Sequence, residues 1–465
     1  MRRLTNLRYQ KYYYFFDFLI NNILNVIFAI LKKNCVVFSA LSYSILLVFP
    51  KYFWYLSFFY LIPIFWLALN KQLYFKEGFI WGLLFYLIHF YFLFVLVLKN
   101  GNGYYKILAP IFCVIYFAFL SGAWFWFAQL FSRRLNNIFL TVLIWSLITT
   151  LYYFFIYSFS FLIFECNYGY VFSHPFVSLI ECINLLNLLP ILGIWLLTFF
   201  LFLFQISIAA LIYTKQKNWL VMIHLSLLPF ICGIFSNSNI DEKTNFFNEF
   251  GFVPIQKYRS NPYNLAVCIY NEIQKIIKDK KNTKIIFMPE TAFPFALNDY
   301  PEIIKWLYNN LENKKLHILL GSHKREKDKF YNVVYHIFNG EIINTHYKTH
   351  LVFFCENVPK IWKRLFNLSS ELFLKDSIEF EKVLEKNTIF EIENKLYSPI
   401  ICSDIFFKKD FSKIQPSIIL FRNESWFSTK YIQGLMNNYI KLKCLELRKS
   451  ILCISQGDCR SLVHK

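Results

Sequence analysis

Apolar residues fall in long blocks over the first half of the chain and in short ones over the second, and the two regimes predict two kinds of element. Blocks long enough to cross a hydrocarbon core of about 30 Å lie at roughly 35–50, 52–70, 77–98, 107–131, 137–163, 185–213 and 217–235. They predict a transmembrane domain of about seven helices over residues 35–236. The first block is short for a span, and Pro50 and Lys51 part it from the second, so the pair reads as a tight helical hairpin. Residues 13–31 carry Asp17, Asn21, Asn22 and Asn25 and end on Lys32 and Lys33. That mixture reads as a helix lying in the membrane interface, within a basic N-terminal segment, 1–34. Arg2, Arg3, Arg8 and Lys11 precede an apolar run with no small-residue cleavage site after it, the pattern of a retained anchor.

Lysine and arginine near helix ends stay on the cytoplasmic side. With the segment before residue 35 inside, Lys71, Lys76, Arg133, Arg134, Lys215 and Lys217 all fall in inside loops, while Lys51, Lys99 and Lys106 run against the rule. The outside loop from about 164 to 184 holds Glu165, His174 and Glu181 but no Lys or Arg. Seven spans then deliver everything after residue 236 to the outer face.

Past Ser236-Asn237-Ser238-Asn239 charged and apolar residues mix, which marks a second domain, 237–465. Short apolar runs at Ile285–Met288, Ile318–Leu320, Val333–Phe338, Tyr397–Cys402 and Ile418–Phe421 predict strands of a buried sheet. Helical periodicity at about 263–279, 301–313 and 431–447 separates several of them, so a layered α/β domain is expected.

Composition sharpens this picture at three points. A chain that is 57% hydrophobic, with mean hydropathy +0.40, carries more apolar surface than one soluble core of this length needs. Phe 56 and Tyr 31 against Gly 13 and Met 4 carry the imprint of an AT-rich genome, which also inflates lysine, so part of the +20 charge is codon bias. The basic residues are scattered, which argues against a nucleic-acid partner. The 11 Cys include no CxxC pair and no Cys/His set at zinc spacing, so neither a disulfide framework nor a structural metal is expected.

Three segments each place a reactive side chain just after a predicted strand, where layered α/β domains build their sites. In Met288-Pro289-Glu290-Thr291-Ala292, Glu290 is either a general base in apolar surroundings or a carboxylate capping the next helix. In Tyr347-Lys348-Thr349-His350-Leu351-Val352-Phe353-Phe354-Cys355-Glu356, Lys348 and Glu356 flank an apolar run as a buried pair or as surface charges. In Ser398-Pro399-Ile400-Ile401-Cys402-Ser403-Asp404, Cys402 is a buried inert thiol or a nucleophile activated by a neighbouring Lys.

The order Glu, Lys, Cys at strand ends resembles the three signatures of the nitrilase superfamily, and with seven preceding spans the chain resembles its membrane branch, the apolipoprotein N-acyltransferases. The branch motif Lys-x-His-Leu-Val-Pro-Phe-Gly-Glu is matched in register by Lys348, His350, Leu351, Val352, Phe354 and Glu356. Pro-Glu-Ser/Thr-Ala is matched by Pro289 to Ala292, and Asn-Asp-x-Trp-Phe by Asn423, Trp426 and Phe427. Gly169-Tyr170, Pro175 and Gly193 fit the family's outer loop and following helix, so the resemblance runs over roughly residues 35 to 455. The family's Cys-Tyr-Glu is Cys402-Ser403-Asp404 here, Phe353 and Cys355 stand for a Pro and a Gly, and the later Asn-x-Gly becomes Gln456-Gly457-Asp458. The chain ends at Lys465, where the family continues with further strands and a last helix.

The resemblance implies a multi-pass α-helical membrane domain plus an α/β nitrilase-like αββα sandwich. It implies Glu290, Lys348 and Cys402 as catalytic residues, supported by Glu356, Asp404, His350, Asn423 and Trp426. The implied reaction moves an acyl chain from a phospholipid, through a cysteine thioester, to the N-terminal amine of a diacylated apolipoprotein, with no cofactor. The implied place is the bacterial inner membrane with the catalytic domain on the periplasmic face. A catalytically impaired remnant of that enzyme and a membrane-tethered amidase are the alternatives. A transporter fits less well, because the spans carry few charges at mid-depth.

Overall fold

The structure, a computed structural model, describes residues 34–100, 105–159, 173–236, 240–243, 250–253, 261–311, 315–352, 356–357, 364, 379–381, 383, 388–407, 417–423, 430–456 and 459–464. The interfacial helix expected at 13–31, Gly169-Tyr170, Phe353 to Cys355, Trp426-Phe427 and Gly457-Asp458 lie outside the described residues. The chain divides into two compact units. One comprises 1–90, 112–152 and 196–229; the other 91–111, 153–195 and 230–465.

Four helices among the described residues are long and apolar enough to cross a membrane: Pro50–Leu69, Pro110–Arg133, Ile138–Ile156 and Leu189–Thr214. The expected runs at 35–50 and 217–235 form shorter apolar helices, Asn34–Val48 and Trp219–Ile234. The run at 77–98 breaks where the Phe90 N–H donates to Tyr86 O (2.8 Å), giving helices Phe75–His89 and Tyr91–Asn100.

Within the first unit the helices meet through small residues and buried polar pairs, the means available where lipid removes the hydrophobic drive between helices. Gly78 and Gly82 let the Phe75–His89 helix lie against Tyr105–Arg133, for a Cβ on them would come within 2.5 Å of Ser121 O and 2.7 Å of Ala118 Cα. Ser121 Oγ and the Tyr86 hydroxyl both meet the Tyr152 hydroxyl, at 2.8 and 3.2 Å. Midway along Pro50–Leu69 the α-helix gives way to a 3-10 turn, Trp54–Phe58, which leaves backbone groups without helical partners. Gln205 supplies them: its Oε1 accepts from Leu61 N and its Nε2 donates to Ser57 O, both at 2.9 Å. Unpaired backbone in hydrocarbon would cost several kcal/mol per group.

The second unit holds two six-stranded sheets. In chain order the strands are β1 (Ile240–Lys243), β2 (Phe250–Phe252), β3 (Ile285–Phe287), β4 (Phe293–Ala296), β5 (His317–Glu326), β6 (Lys329–Phe338), β7 (Glu341–Tyr347), β8 (Phe390–Ile392), β9 (Lys395–Ile401), β10 (Ser417–Phe421), β11 (Ser450–Ile454) and β12 (Cys459–His464). One sheet runs β2-β3-β5-β6-β7, with β4 beside β5; the other runs β1-β12-β11-β10-β9-β8. Each has a parallel core, β2-β3-β5 and β9-β10-β11, of apolar strands buried on both faces, as parallel sheets require. The sheets face each other, with the His336 ring 5.5 Å from that of Phe390 and Lys284 paired to Glu393 at 3.1 Å.

Helices Pro262–Asp279 and Pro301–Asn310 bury Leu265, Ile269, Ile273, Ile304 and Leu307 against the first sheet's Ile286, Ile318 and Leu320. Helix Lys430–Leu447 buries Leu435, Met436, Tyr439 and Leu442 against the second. It also touches the short apolar helix Phe176–Leu186, where Asn438 Nδ2 donates to Glu181 Oε1 at 2.9 Å. The globular part is therefore an αββα sandwich.

Candidate active site

Parallel strands present their C-terminal ends together, and β7, antiparallel to β6 and so aligned with β5, joins them. Glu290 follows β3, Lys348 follows β7, Cys402 follows β9 and Asn423 follows β10, so one rim of the sandwich collects all four.

Past β3 the chain turns tightly: Ala292 N donates to Pro289 O (3.2 Å) and Thr291 takes φ +55°. The neighbouring β5 backbone can approach this turn only because residue 321 is glycine, since a Cβ there would meet Glu290 Cα at 2.5 Å and Pro289 O at 2.6 Å. Glu290, 1% exposed, accepts through Oε1 from Lys348 Nζ (2.9 Å) and Asn332 Nδ2 (2.8 Å). Its Oε2 is buried with no hydrogen-bond partner among the described residues.

Lys348 lies between two carboxylates, with Glu356 Oε2 also at 2.9 Å. Burial opposes its charge, but Glu290 and then Glu356 outweigh burial and hold the ammonium well above its usual pKa. Glu356 moves the other way from an ordinary ion-pair partner: burial pushes its carboxyl up, Lys348 pulls it down and Glu290 pushes again, with a net rise. Two carboxylates share one ammonium, so the lysine is over-paired and the acids are under-paired. Asn332 mediates between them, donating through Nδ2 to Oε1 of Glu356 (2.7 Å) as well as to Glu290, while its backbone carbonyl accepts from Lys348 N (2.9 Å).

Cys402 sits at the end of β9 with φ +44°, a conformation that a non-glycine residue keeps only when its surroundings impose it. Its N–H donates to Phe421 O (2.8 Å), which ties it to β10. It is 3% exposed, and burial raises its thiol pKa; Glu290 and Glu356 add to the rise while Lys348 and Arg422 oppose it. Burial thus favours the neutral thiol over the thiolate.

The supporting residues form a second layer. Asp404 accepts from Thr349 N (3.2 Å), Thr349 Oγ1 (3.0 Å), His350 N (2.7 Å) and His350 Nδ1 (3.2 Å), and so fixes the turn after Lys348. Ser403 Oγ donates to His350 O at 2.5 Å. Asn423 Nδ2 donates to Thr291 Oγ1, beside Glu290. The structure brings Glu290, Lys348, Cys402, Glu356, Asp404, His350 and Asn423 to one place; Trp426 lies outside the described residues. Asn332 and Gly321 were not legible as site residues. Their signals were slight: an amide at the edge of the apolar run Val333–Phe338, and a glycine directly after Leu319-Leu320.

No family model matches the sequence. Among curated proteins, the chain is similar to the apolipoprotein N-acyltransferase of Rhizobium rhizogenes, 28% identical over 170 residues, or 33% of this chain and 31% of the relative. It is also similar to that of Helicobacter pylori, 28% identical over 188 residues, or 40% of this chain and 43% of the relative. The matched stretch thus spans less than half the length of these relatives. Among solved structures, a nitrilase-superfamily protein of Saccharomyces cerevisiae aligns over 46% of this chain and 88% of its own, with 14% identity and a TM-score of 0.31. A carbon-nitrogen hydrolase of Helicobacter pylori aligns over 44% and 72%, with 9% identity and a TM-score of 0.33.

Proposed function

We propose that this membrane protein, which resembles the apolipoprotein N-acyltransferases, moves a fatty acyl group from a phospholipid to the N-terminal amine of a diacylglyceryl-cysteine lipoprotein through a thioester on Cys402. The observation that carries the reading is the buried Glu290–Lys348–Glu356 cluster beside a buried thiol, with Glu290 Oε2 left unpaired among the described residues. An acid so placed is a proton acceptor within a water-poor site.

In the first half-reaction Glu290 takes the thiol proton as sulfur attacks the ester carbonyl. The S–C bond forms, the C–O ester bond breaks, and the lysophospholipid leaves with the proton returned by Glu290. Lys348 stabilises the charge that develops on the carbonyl oxygen, an effect magnified where water is excluded. In the second half-reaction the lipoprotein amine attacks the thioester, the N–C bond forms as C–S breaks, and the amine proton passes through Glu290 back to sulfur. Glu356 and Asn332 hold the lysine and the base in register, and Asp404 with His350 and Asn423 with Thr291 fix the surrounding turns. No metal or organic cofactor is needed for either step.

In this reading residues 35–236 hold the enzyme in the bacterial inner membrane and residues 237–465 form the catalytic domain on its periplasmic face. Acyl chains of both substrates then reach the thiol from an apolar phase. The test is intact-mass analysis of the purified protein in phospholipid micelles, comparing wild type with Cys402→Ala. A hydroxylamine-labile acyl adduct on wild type alone, discharged by a diacylglyceryl-cysteine peptide, is expected. A folded wild-type protein that forms no adduct overturns the acyltransferase reading and favours the impaired remnant, and ammonia release from a soluble amide would instead favour the amidase.

A further inference from the structure

A buried imidazole next to the cluster has no part in the proposed roles. In the antiparallel pairing of β5 with β6, His323 stands directly opposite Asn332, so the two side chains leave the same face of the sheet. That face is turned to the second sheet: along it His317 Nδ1 meets His336 Nε2 (3.0 Å), and the His336 ring lies 5.5 Å from that of Phe390. Gly321, two residues before His323 on the same face, is the position whose Cβ would meet Glu290 Cα at 2.5 Å. The His323 ring meets that of Phe380 edge-on, with centroids 4.8 Å apart, and Phe380 N donates to Glu356 O (2.9 Å). The Glu290 turn, Asn332 and the segment bonded to Glu356 are therefore its neighbours.

In these neighbouring positions three buried atoms have no hydrogen-bond partner among the described residues: Glu290 Oε2, Asn332 Oδ1 and His323 Nδ1. All three accept. Asn332 spends its Nδ2 on Glu290 and Glu356, which leaves its oxygen over. Burial pushes the His323 imidazole down to about 4, so at neutral pH the ring is uncharged, and with its proton on Nε2 the Nδ1 lone pair is open. Buried acceptors left unmatched are costly, and a primary ammonium, with three N–H donors, matches several at once. The second half-reaction brings such a group, together with a proton to dispose of. An α-amine, with a pKa of about 8, arrives at neutral pH mostly as ammonium, which has no electron pair to attack with. Glu290 is committed to the proton that returns to sulfur, so the excess proton needs another acceptor, and His323 keeps 8% exposure through which to release it.

We propose that Glu290 Oε2, Asn332 Oδ1 and His323 Nδ1 receive the ammonium of the acceptor lipoprotein, and that His323 takes the proton this ammonium must lose before its nitrogen attacks the thioester. One N–H bond of the ammonium breaks, its electron pair stays on nitrogen, and an Nδ1–H bond forms; the imidazolium then passes a proton to water, so one proton leaves per turnover. The neutral amine attacks as described above, with its second proton returning to sulfur through Glu290. Burial weakens the imidazole as a base and strengthens the ammonium as an acid alike, so the proton moves between groups of comparable strength. The titratable groups around His323 are Glu290 after β3, Lys348 and Glu356 after β7, Tyr335 on β6, whose hydroxyl donates to His323 O (3.5 Å), and Glu381 beside Phe380, which pairs with Lys329 (3.5 Å). On its own strand Lys324 pairs with Glu326 (2.7 Å). The inference rests on the acyltransferase reading.

The test forms the acyl-enzyme on the full chain in phospholipid micelles, then follows its discharge by intact mass from pH 5 to 9 in wild type, His323→Asn and His323→Leu, with melting temperature recorded for each. Two nucleophiles are compared: a diacylglyceryl-cysteine peptide, and hydroxylamine, which is already neutral at pH 7 and has no excess proton to lose. Wild-type discharge by the peptide should be nearly flat below about pH 8, because the ammonium is deprotonated inside the complex. In both variants it should fall about tenfold per pH unit below about pH 8, reaching about a hundredfold deficit at pH 6, the scale of one general base. Discharge by hydroxylamine should not follow that fall. His323→Asn, which keeps an acceptor near the Nδ1 position, should hold the half-saturating peptide concentration close to wild type, while His323→Leu raises it. Variants that discharge to the peptide like wild type, or that slow equally toward both nucleophiles, overturn the proposal and leave the acyltransferase reading standing. If neither variant folds, the wild-type profile decides, and a peptide rate that itself falls about tenfold per unit below about pH 8 overturns the proposal. A wild-type protein that forms no acyl-enzyme overturns both.

Discussion

Asp404 is one methylene shorter than the glutamate that the family resemblance places two residues after the nucleophile, yet it makes the contacts of an anchoring acid. Burial alone would raise its pKa, but the hydrogen bond and electrostatic pull of His350, with His346 and Lys348 adding to it, hold it below its ordinary value of 3.8. A depressed carboxyl stabilises the fold fully above its unfolded pKa, and that contribution is lost as pH falls through the folded value. Asp404→Asn should therefore lower the melting temperature most near pH 7, by the equivalent of about 1–3 kcal/mol for lost charged hydrogen bonds. The gap from wild type should narrow below about pH 4, and a gap constant from pH 3 to 7 would show that the charge plays no part. The order of Glu290, Lys348 and Cys402 was legible because Glu290 and Cys402 each close an apolar run and Lys348 stands just before one. Asn332 was not, since one amide beside an apolar run looks like the polar side of a half-buried strand. His323 was not either, because nothing in Ser322-His323-Lys324 says that the imidazole turns inward.

The central strands were legible for the reason that they are central. β3 and the central stretches of β5, β9 and β10 are buried, and Ile285–Phe287, Ile318–Leu320, Pro399–Ile401 and Ile418–Phe421 read as short apolar runs, while β1 (Ile-Asp-Glu-Lys), β7 (Glu-Ile-Ile-Asn-Thr-His-Tyr) and β12 (Cys-Arg-Ser-Leu-Val-His) sit toward the edges and mix polar with apolar. The helices at 262–279, 301–310 and 430–447 were visible through their amphipathic period. What no periodicity revealed is that β5 and the Glu290 turn touch backbone to backbone. Gly321→Ala should push Glu290 off its contacts, at about 1–3 kcal/mol for overpacking. Acyl-adduct formation should slow by at least about tenfold, since misplacing a reacting group by about 1 Å costs on that order. A variant that melts like wild type and acylates at the wild-type rate would show that the turn has room to spare.

At the scale of the whole chain, the membrane segment and the sandwich make different demands on sequence, and the first was the easier to read. Long apolar blocks announce helices, but length alone did not reveal the break at Phe90 or the 3-10 turn at Trp54–Phe58. Lysine and arginine placement predicts that the sandwich faces away from the cytoplasm. An alkaline phosphatase fused after residue 236 should then be active, and one fused after Arg134 inactive; the reverse pattern would place the site on the cytoplasmic side. Gln205 bears on how such a membrane segment comes to be assembled. It lies 144 residues after Leu61 and 148 after Ser57, the two backbone groups it completes. During synthesis the early hairpin therefore enters the bilayer with an open rung in its ladder, and that rung closes only when the Leu189–Thr214 helix arrives. Until then the first helices are provisional, and the late helix acts as the keystone that commits them.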